Sequence, residues 1–286
     1  MDAKTLTHNL GGVWRHGRGQ APCPICQRER RRDQNALSIS ESGDKLLLHC
    51  FKSNCSFVEI AGAAGADLGR VQIDFEAQAQ HERKQAEYHA ERLRKARSLW
   101  EAARPIAGTK GEAYLRSRGI TCELPDSLRF MPDIHHAPSM TWGSAIIADV
   151  EPTGGVHRTF LTKQGEKQSR DAKMMLGPCA RGAVRLREGH KRLVVCEGIE
   201  TGLSLLSGLL SGSASVWATL STSGMKSLTL PETPSELIVA TDGDEPGREA
   251  GDRLASRASA LGWTACLMPA PDGKDFNDVL LEGVKV

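Results

Sequence analysis

Two short apolar runs, residues 193–196 and 237–241, each deliver the chain to an acidic residue and a glycine. The first leads into Glu197-Gly198 and the second into Asp242-Gly243-Asp244. Runs this short, bounded by turn residues, read as buried strands rather than helices. Residues 201–210 and 247–261 carry helical patterns, residues 215–219 and 264–268 supply further strands, and residues 276–282 form a last helical turn or two. Strands alternating with helices predict an α/β fold with a parallel sheet and flanking helices. In such a sheet, residues just past the carboxyl ends of the strands converge on one edge, where ligands bind. Glu197, Asp242, Asp244 and Asp275 all fall at such positions. Acids gathered there repel one another unless a cation lies between them. Hard oxygen ligands select Mg²⁺ or Mn²⁺. Taken singly, each acid also suits a helix N-cap.

The front of the chain is of another kind. Cys23 and Cys26 form one close pair, Cys50 and Cys55 a second, with a polar and aromatic stretch between them. Paired cysteines at this spacing predict a zinc ribbon, in which four thiolates close a tetrahedron and leave the metal no open position. His49, beside Cys50, is an alternative ligand. Arg28, Arg30, Arg31 and Arg32 form a basic cluster suited to phosphates or to a solvated loop. Phe51, Phe57 and Trp14 suit base stacking or the ribbon's own small core.

Between these ends, residues 76–104 are dense in Ala, Glu, Lys and Arg and predict a long, mostly exposed helix stopped at Pro105. Residues 112–119 predict a short helix closed by Gly119. Residues 144–150 and 156–161 predict a β-hairpin, followed by a basic, Met-containing stretch over 163–187. With 286 residues and an apolar fraction of 40%, the chain is large enough for two modest cores. Its near-neutral net charge of +2 divides into a basic front and an acidic back. Residues 1–14 show no signal-peptide pattern and no apolar run approaches a membrane span. The expectation is a cytoplasmic protein of a bacterial host cell, with reduced cysteines and no membrane partner.

The acidic motifs resemble the Toprim domain, shared by bacterial-type primases, topoisomerases and some nucleases. Glu197 matches the glutamate that follows the family's first strand, and Asp242/Asp244 match its later Asp-x-Asp. Gly273-Lys274-Asp275-Phe276-Asn277 resembles the third acidic motif of the primases, with Asn277 in place of the second Asp and Asp278 as a possible substitute. The segments 156–159 and 173–177 are similar to a basic catalytic subdomain that primases place upstream. The likeness, closest to primases of plasmids and temperate phages, covers residues 20–60 and about 110–283.

The resemblance implies a zinc-ribbon DNA-binding module over 1–60, a helical linker over 61–105, a basic catalytic subdomain over 106–190 and a Toprim domain over 191–286. It implies a DNA primase making short RNA primers on single-stranded DNA by metal-dependent nucleotidyl transfer. Glu197, Asp242, Asp244, Asp275 and Asn277 would hold the catalytic Mg²⁺ or Mn²⁺, while Arg158 and Lys173 would steady phosphates or template. Nucleoside triphosphates are the expected substrates. A separate helicase is an expected partner, because no Gly-x4-Gly-Lys-Ser/Thr loop is present. Alternatives are a Toprim nuclease and a non-catalytic adaptor that binds single-stranded DNA. A topoisomerase is disfavoured, because Tyr88 and Tyr114, the two tyrosines, precede the acidic motifs. On this resemblance an Asn277→Asp change is expected to be tolerated.

Overall fold

The computed structural model describes residues 2–29, 31, 34–42, 45–53, 55–65 and 75–283. The chain divides into two compact units, residues 1–79 and 80–286. Arg30, Arg32 and part of the expected linker, 66–74, lie outside the described residues.

The first unit begins with α1 (Ala3–Asn9), capped by the Asp2 carboxylate on the Thr5 N–H. Four antiparallel strands follow in the order β1 (Val13–Arg15), β2 (Arg18–Ala21), β3 (Leu37–Ser42) and β4 (Lys45–Cys50). A short helix α2 (Phe57–Ala63) closes the unit, its start fixed by a reciprocal capping box between Ser56 and Glu59. Leu6, Leu10, Leu37, Ile39 and Ile60 make a small core that also takes in Cys23 and Cys50. A core this small calls for a cross-link or a metal.

The second unit contains most of α3 (Phe75–Ala102) and then β5 (Arg104–Pro105) and α4 (Lys110–Ser117). Gly119, just past α4, has φ +75°, a left-handed conformation that suits glycine at a helix end. An antiparallel sheet follows in the order β5, β6 (Leu128–His136), β7 (Thr141–Val150), β8 (Gly155–Leu161) and β9 (Lys173–Leu176). The last turns of α3 do not stand clear in solvent as a linker would. Ala96, Trp100 and Ala103 pack on Ala145, Ile147, Val156 and Phe160 of this sheet, and Arg97 pairs with Asp149 at 2.6 Å.

The second sheet has the order β10 (Val184–Arg187), β12 (Ser215–Ala218), β11 (Arg192–Cys196), β13 (Glu236–Thr241) and β14 (Thr264–Pro269). Four strands run parallel, as the alternating pattern predicts; β10 joins antiparallel at the edge. The connecting helices are α5 (Ile199–Ser204), which runs on into a π-turn over Leu205–Leu209, then α6 (Thr222–Ser227), α7 (Glu245–Ala260) and α8 (Phe276–Leu281).

Alternation along the central strands sorts the core. Val194, Cys196, Ile238 and Ala240 face the antiparallel sheet, packing with Ile146, Ala148, Leu161, Ile199, Leu203 and Phe276. Leu193, Val195, Leu237 and Val239 face the other way onto Ala250, Leu254 and Ala258 of α7. Successive connections leave β11 in opposite directions, one to β12 and one, by way of β12, to β13. The strand order therefore reverses beside β11, which opens a crevice at the carboxyl ends of β11 and β13. Among the described residues, no helix is long and apolar enough to cross a membrane.

Candidate active site

Glu197 leaves β11 and Asp242 leaves β13 at that crevice, and Asp275 starts α8 beside them. Together they line one side of a cavity of about 140 Å³. Two glycines bring the loops together. A Cβ on Gly243 would lie 1.9 Å from the Pro271 carbonyl oxygen, so only glycine allows this approach. The Gly243 N–H donates to Lys274 O at 2.8 Å and the Gly273 N–H donates to Gly243 O at 3.0 Å. The loop after β13 is thereby tied to the loop that carries Asp275.

Two of the acids also cap helices. Asp244 accepts from the Gly247 N–H at 2.8 Å at the start of α7. Asp275 forms a capping box with Asp278, accepting from the Asp278 N–H at 2.8 Å. Capping uses one oxygen of each carboxylate and leaves the rest of its acceptor capacity. Asp278 is engaged in this box.

The electrostatics of the cluster are unbalanced on the acidic side. Burial, together with the charges of Glu197, Asp275 and Asp244, pushes the Asp242 carboxyl up to about 6. Burial and Asp244 raise Glu197 as well, against the pull of Lys173. Asp242 Oδ1 is buried with no hydrogen-bond partner among the described residues. Crowded carboxylates and an orphaned buried oxygen fit a divalent cation held by oxygen ligands.

The cavity is also lined by three cations, Lys173 on β9, Lys167 in the loop between β8 and β9 and Arg118 just past α4, and by His157 on β8. Lys173 Nζ lies 2.8 Å from Glu200 Oε2, and the Tyr114 hydroxyl donates to Glu200 Oε1 at 3.2 Å. Burial alone would raise the Glu200 carboxyl, but the Lys173 charge and hydrogen bond, its own backbone N–H and His157 outweigh it and hold it at about 2. Burial, reinforced by the Lys173 charge, brings His157 down to about 4, so its ring is neutral at pH 7. Its Nδ1 is buried without a partner among the described residues.

Of the residues expected from sequence, Glu197, Asp242, Asp275 and Lys173 line the cavity, and Asp244 acts on it through its charge. Arg158 does not. On β8 the side chain before it, His157, points into the cavity, so Arg158 points to the opposite face. There it lies over the Phe160 ring at 5.3 Å and donates to Met175 O at 3.3 Å. Asn277 is fully buried beneath α5. Its Nδ2 donates to Arg118 O at 2.8 Å and to Ser204 Oγ at 2.9 Å, and it does not line the cavity. No sequence pattern marks Glu200, Tyr114, Arg118, Lys167 or His157 as a site residue. Glu200 sits in the first turn of α5, where an acid complements the helix dipole without needing a partner.

In the first unit the Sγ atoms of Cys23, Cys26, Cys50 and Cys55 lie within 4.8 Å of one another, and Cys26 and Cys50 are 3.5 Å apart. The group is close enough for one tetrahedral zinc with Zn–S bonds of about 2.3 Å. Gln27 Oε1 braces the first knuckle, accepting from the N–H groups of Cys23 and Ala36, each at 3.0 Å. Burial and the neighbouring sulfurs raise the Cys55 thiol. At Cys50 burial is outweighed by the N–H groups of Ser53, Cys55 and Lys52, which favour the thiolate. His49 is not part of the group: alternation on β4 turns it away from Cys50, edge-on against Phe51 at 4.5 Å.

Residues 192–285 match the family model of the Toprim domain, and residues 90–186 match that of a domain of unknown function, DUF7146. The chain therefore carries a Toprim domain, built on a mixed sheet of mainly parallel strands. Among solved structures it is similar to a DNA primase domain from Pseudomonas aeruginosa, at 13% identity and a TM-score of 0.42, over 67% of this chain and 74% of that one. It is also similar to the zinc-binding and RNA polymerase domains of the Aquifex aeolicus primase, at 14% identity and a TM-score of 0.42, over 99% and 80%. A third is the primase fragment of the bacteriophage T7 primase-helicase protein, at 19% identity and a TM-score of 0.32, over 49% and 62%. No curated protein sequence matches the chain.

Proposed function

We propose that the chain is a DNA primase, joining ribonucleotides into short primers on a single-stranded DNA template. The observation that carries this reading is one cavity lined both by carboxylates of the Toprim domain and by the cations Lys173, Lys167 and Arg118. That pairing suits a nucleoside triphosphate, whose phosphates need both metal and fixed positive charge.

Glu197, Asp242, Asp244 and Asp275 would hold Mg²⁺ or Mn²⁺, which supplies phosphate charge neutralisation and activation of the attacking hydroxyl when bound. Lys173 and Lys167 bind phosphate oxygens in the same cavity as the acids. Arg118 adds a fork of donors there. The neutral His157 offers a hydrogen bond without adding charge. Glu197, with its raised carboxyl, is placed to accept a proton near the reacting groups. The four cysteines of the first unit would hold zinc as a closed structural site, and that module would engage the template.

The test is incubation of the full chain with single-stranded DNA, labelled nucleoside triphosphates and Mg²⁺ or Mn²⁺, with products resolved on a gel. Short labelled primers support the reading. Scission of the template without incorporation would replace it with a Toprim nuclease. Binding with neither reaction would leave an adaptor.

A further inference from the structure

The antiparallel sheet continues past the cavity. In its register Ala148 pairs with His157, Ile146 with Thr159 and Ser144 with Leu161, while Thr159 pairs with Lys173 across the other edge of β8. Since alternate residues share a face, Trp142 lies on the same face as His157 and Lys173. It stands four residues along β7 from the Ile146 row, about 13 Å along the strand.

Trp142 is 55% exposed, unusual for so large an apolar ring. Its cross-strand partner is His135, with ring centroids 5.4 Å apart and a tilt of 53°. Trp142, Thr141, Thr162, Lys163, Gln164 and Gln168 line an open groove of about 460 Å³.

The backbone of this rim leads directly to the cavity, because Lys167, next to Gln168, lines the cavity wall. The turn is held in place. The Thr162 N–H donates to Glu166 O at 2.7 Å and the Gln168 N–H donates to Phe160 O at 3.0 Å. Lys110 reaches across to donate to Lys163 O. Lys163 lines the groove, Lys167 lines the cavity and Lys110 donates to the turn between them, whose own segment 162–168 carries one carboxylate, Glu166.

We propose that Trp142 is a stacking platform for an unpaired base of single-stranded nucleic acid, with its phosphates following Lys163 and Lys167 toward the acidic cavity. One aromatic face framed by amides, hydroxyls and ammonium groups matches a base and its backbone. A protein interface would present a broader apolar centre. The proposal rests on the reading of the cavity as a site for nucleic-acid chemistry, but its test reads binding alone.

The full chain is titrated against two fluorescein-labelled strands of about 12 nucleotides, one of thymidines and one of abasic backbone, following anisotropy. Trp142→Ala is expected to weaken binding of the thymidine strand by about tenfold and to leave the abasic strand unchanged. Trp142→Phe restores most of the loss. The thymidine strand also quenches tryptophan emission in the wild type by a component that is missing in Trp142→Phe.

Equal loss for both strands, no loss for either, or no base dependence in the wild type would overturn the platform. So would a shift of the wild type from dimer to monomer on Trp142→Ala, which makes a second copy the occupant. Primer synthesis by a wild type whose Trp142→Ala variant binds normally sinks the platform and spares the primase reading. Base-dependent binding in a chain that makes no primers does the reverse.

Discussion

The Lys173 ammonium lies 2.8 Å from Glu200 Oε2, joining β9 of the antiparallel sheet to α5 of the Toprim sheet at the wall of the acidic cavity. The Glu200 side chain is 11% exposed and that of Lys173 44%. Glu200 is thus the partner that suffers if the pair is broken. Lys173→Met leaves a buried carboxylate with no cation at hydrogen-bond distance, only the Tyr114 hydroxyl and its own backbone N–H, and is expected to destabilise the second unit by about 3 kcal/mol. Glu200→Gln frees a half-exposed lysine and is expected to cost about 1–2 kcal/mol. The double variant should recover part of the Lys173→Met loss in urea unfolding. Costs that simply add would show that the pair is not coupled.

The same pair sets part of the acid sensitivity. Glu200 is held at about 2, below an ordinary carboxylate, so its contribution is present above the ordinary range and fades as pH falls toward 2. His157 is held at about 4, below an ordinary imidazole, so the unfolded chain binds its proton first. The His157 contribution is therefore lost as pH falls from about 6.5 to 4, mostly above the range of the Glu200 loss, while proton uptake by Asp242, held up at about 6, works in the opposite direction. His157→Gln should remove the loss between about pH 6.5 and 4, so that stability rises there as Asp242 takes up its proton, and should leave the Glu200 loss below it. Unfolding midpoints measured from pH 7 to pH 3 check this order.

Asp242 contributes repulsion to the metal-free fold. Asp242→Asn removes one charge from four crowded acids while keeping side-chain shape. We expect it to abolish primer synthesis and to raise the melting temperature of the metal-free protein by a few degrees, about 1 kcal/mol. Mg²⁺ should stabilise the wild type and have little effect on the variant. A variant that melts lower than the wild type without metal would show that the acids are not in conflict.

Zinc should be present at about one per chain, and Cys23→Ser with Cys26→Ser should release it. Without it the first unit has only its small core, and we expect that unit to unfold. The second unit has its own cores and should keep its cooperative unfolding transition. Elemental analysis and calorimetry of the double variant test both parts, and full retention of zinc would place the metal elsewhere.

The acids could be found in the sequence because each follows a short apolar run and is joined by a glycine, a local signal that needs no knowledge of the partner strand. The cysteine pairs are local in the same way. The basic lining is not local. His157 and Arg158 are neighbours in sequence, and only the register of β8 between β7 and β9 decides which of them meets the acids. Strand β10 is four residues of VRLR inside a basic stretch, and its antiparallel place beside β12 is fixed by tertiary pairing. Glu200 carries no local signal either, because a glutamate in a helix's first turn ordinarily needs no partner.

Asn277 is where the structure reverses an expectation. By resemblance, Asn277→Asp restores a commoner residue and is expected to be tolerated. In the fold the side chain is fully buried, and Nδ2 donates to Arg118 O, which can only accept. Its second acceptor, Ser204 Oγ, already donates its own proton to Glu200 O at 2.8 Å. An aspartate would turn an oxygen toward two acceptors and bury a charge where Asn277 has no cationic hydrogen-bond partner among the described residues. We now expect Asn277→Asp to destabilise the second unit by about 2–4 kcal/mol. The deficit should shrink as the pH falls, because a protonated carboxyl regains one donor. Asn277→Ser should cost less, since it leaves no buried charge. Urea unfolding of both variants at pH 7 and pH 5 decides the matter. An Asn277→Asp chain as stable as the wild type at pH 7 would mean that a cation reaches this position after all.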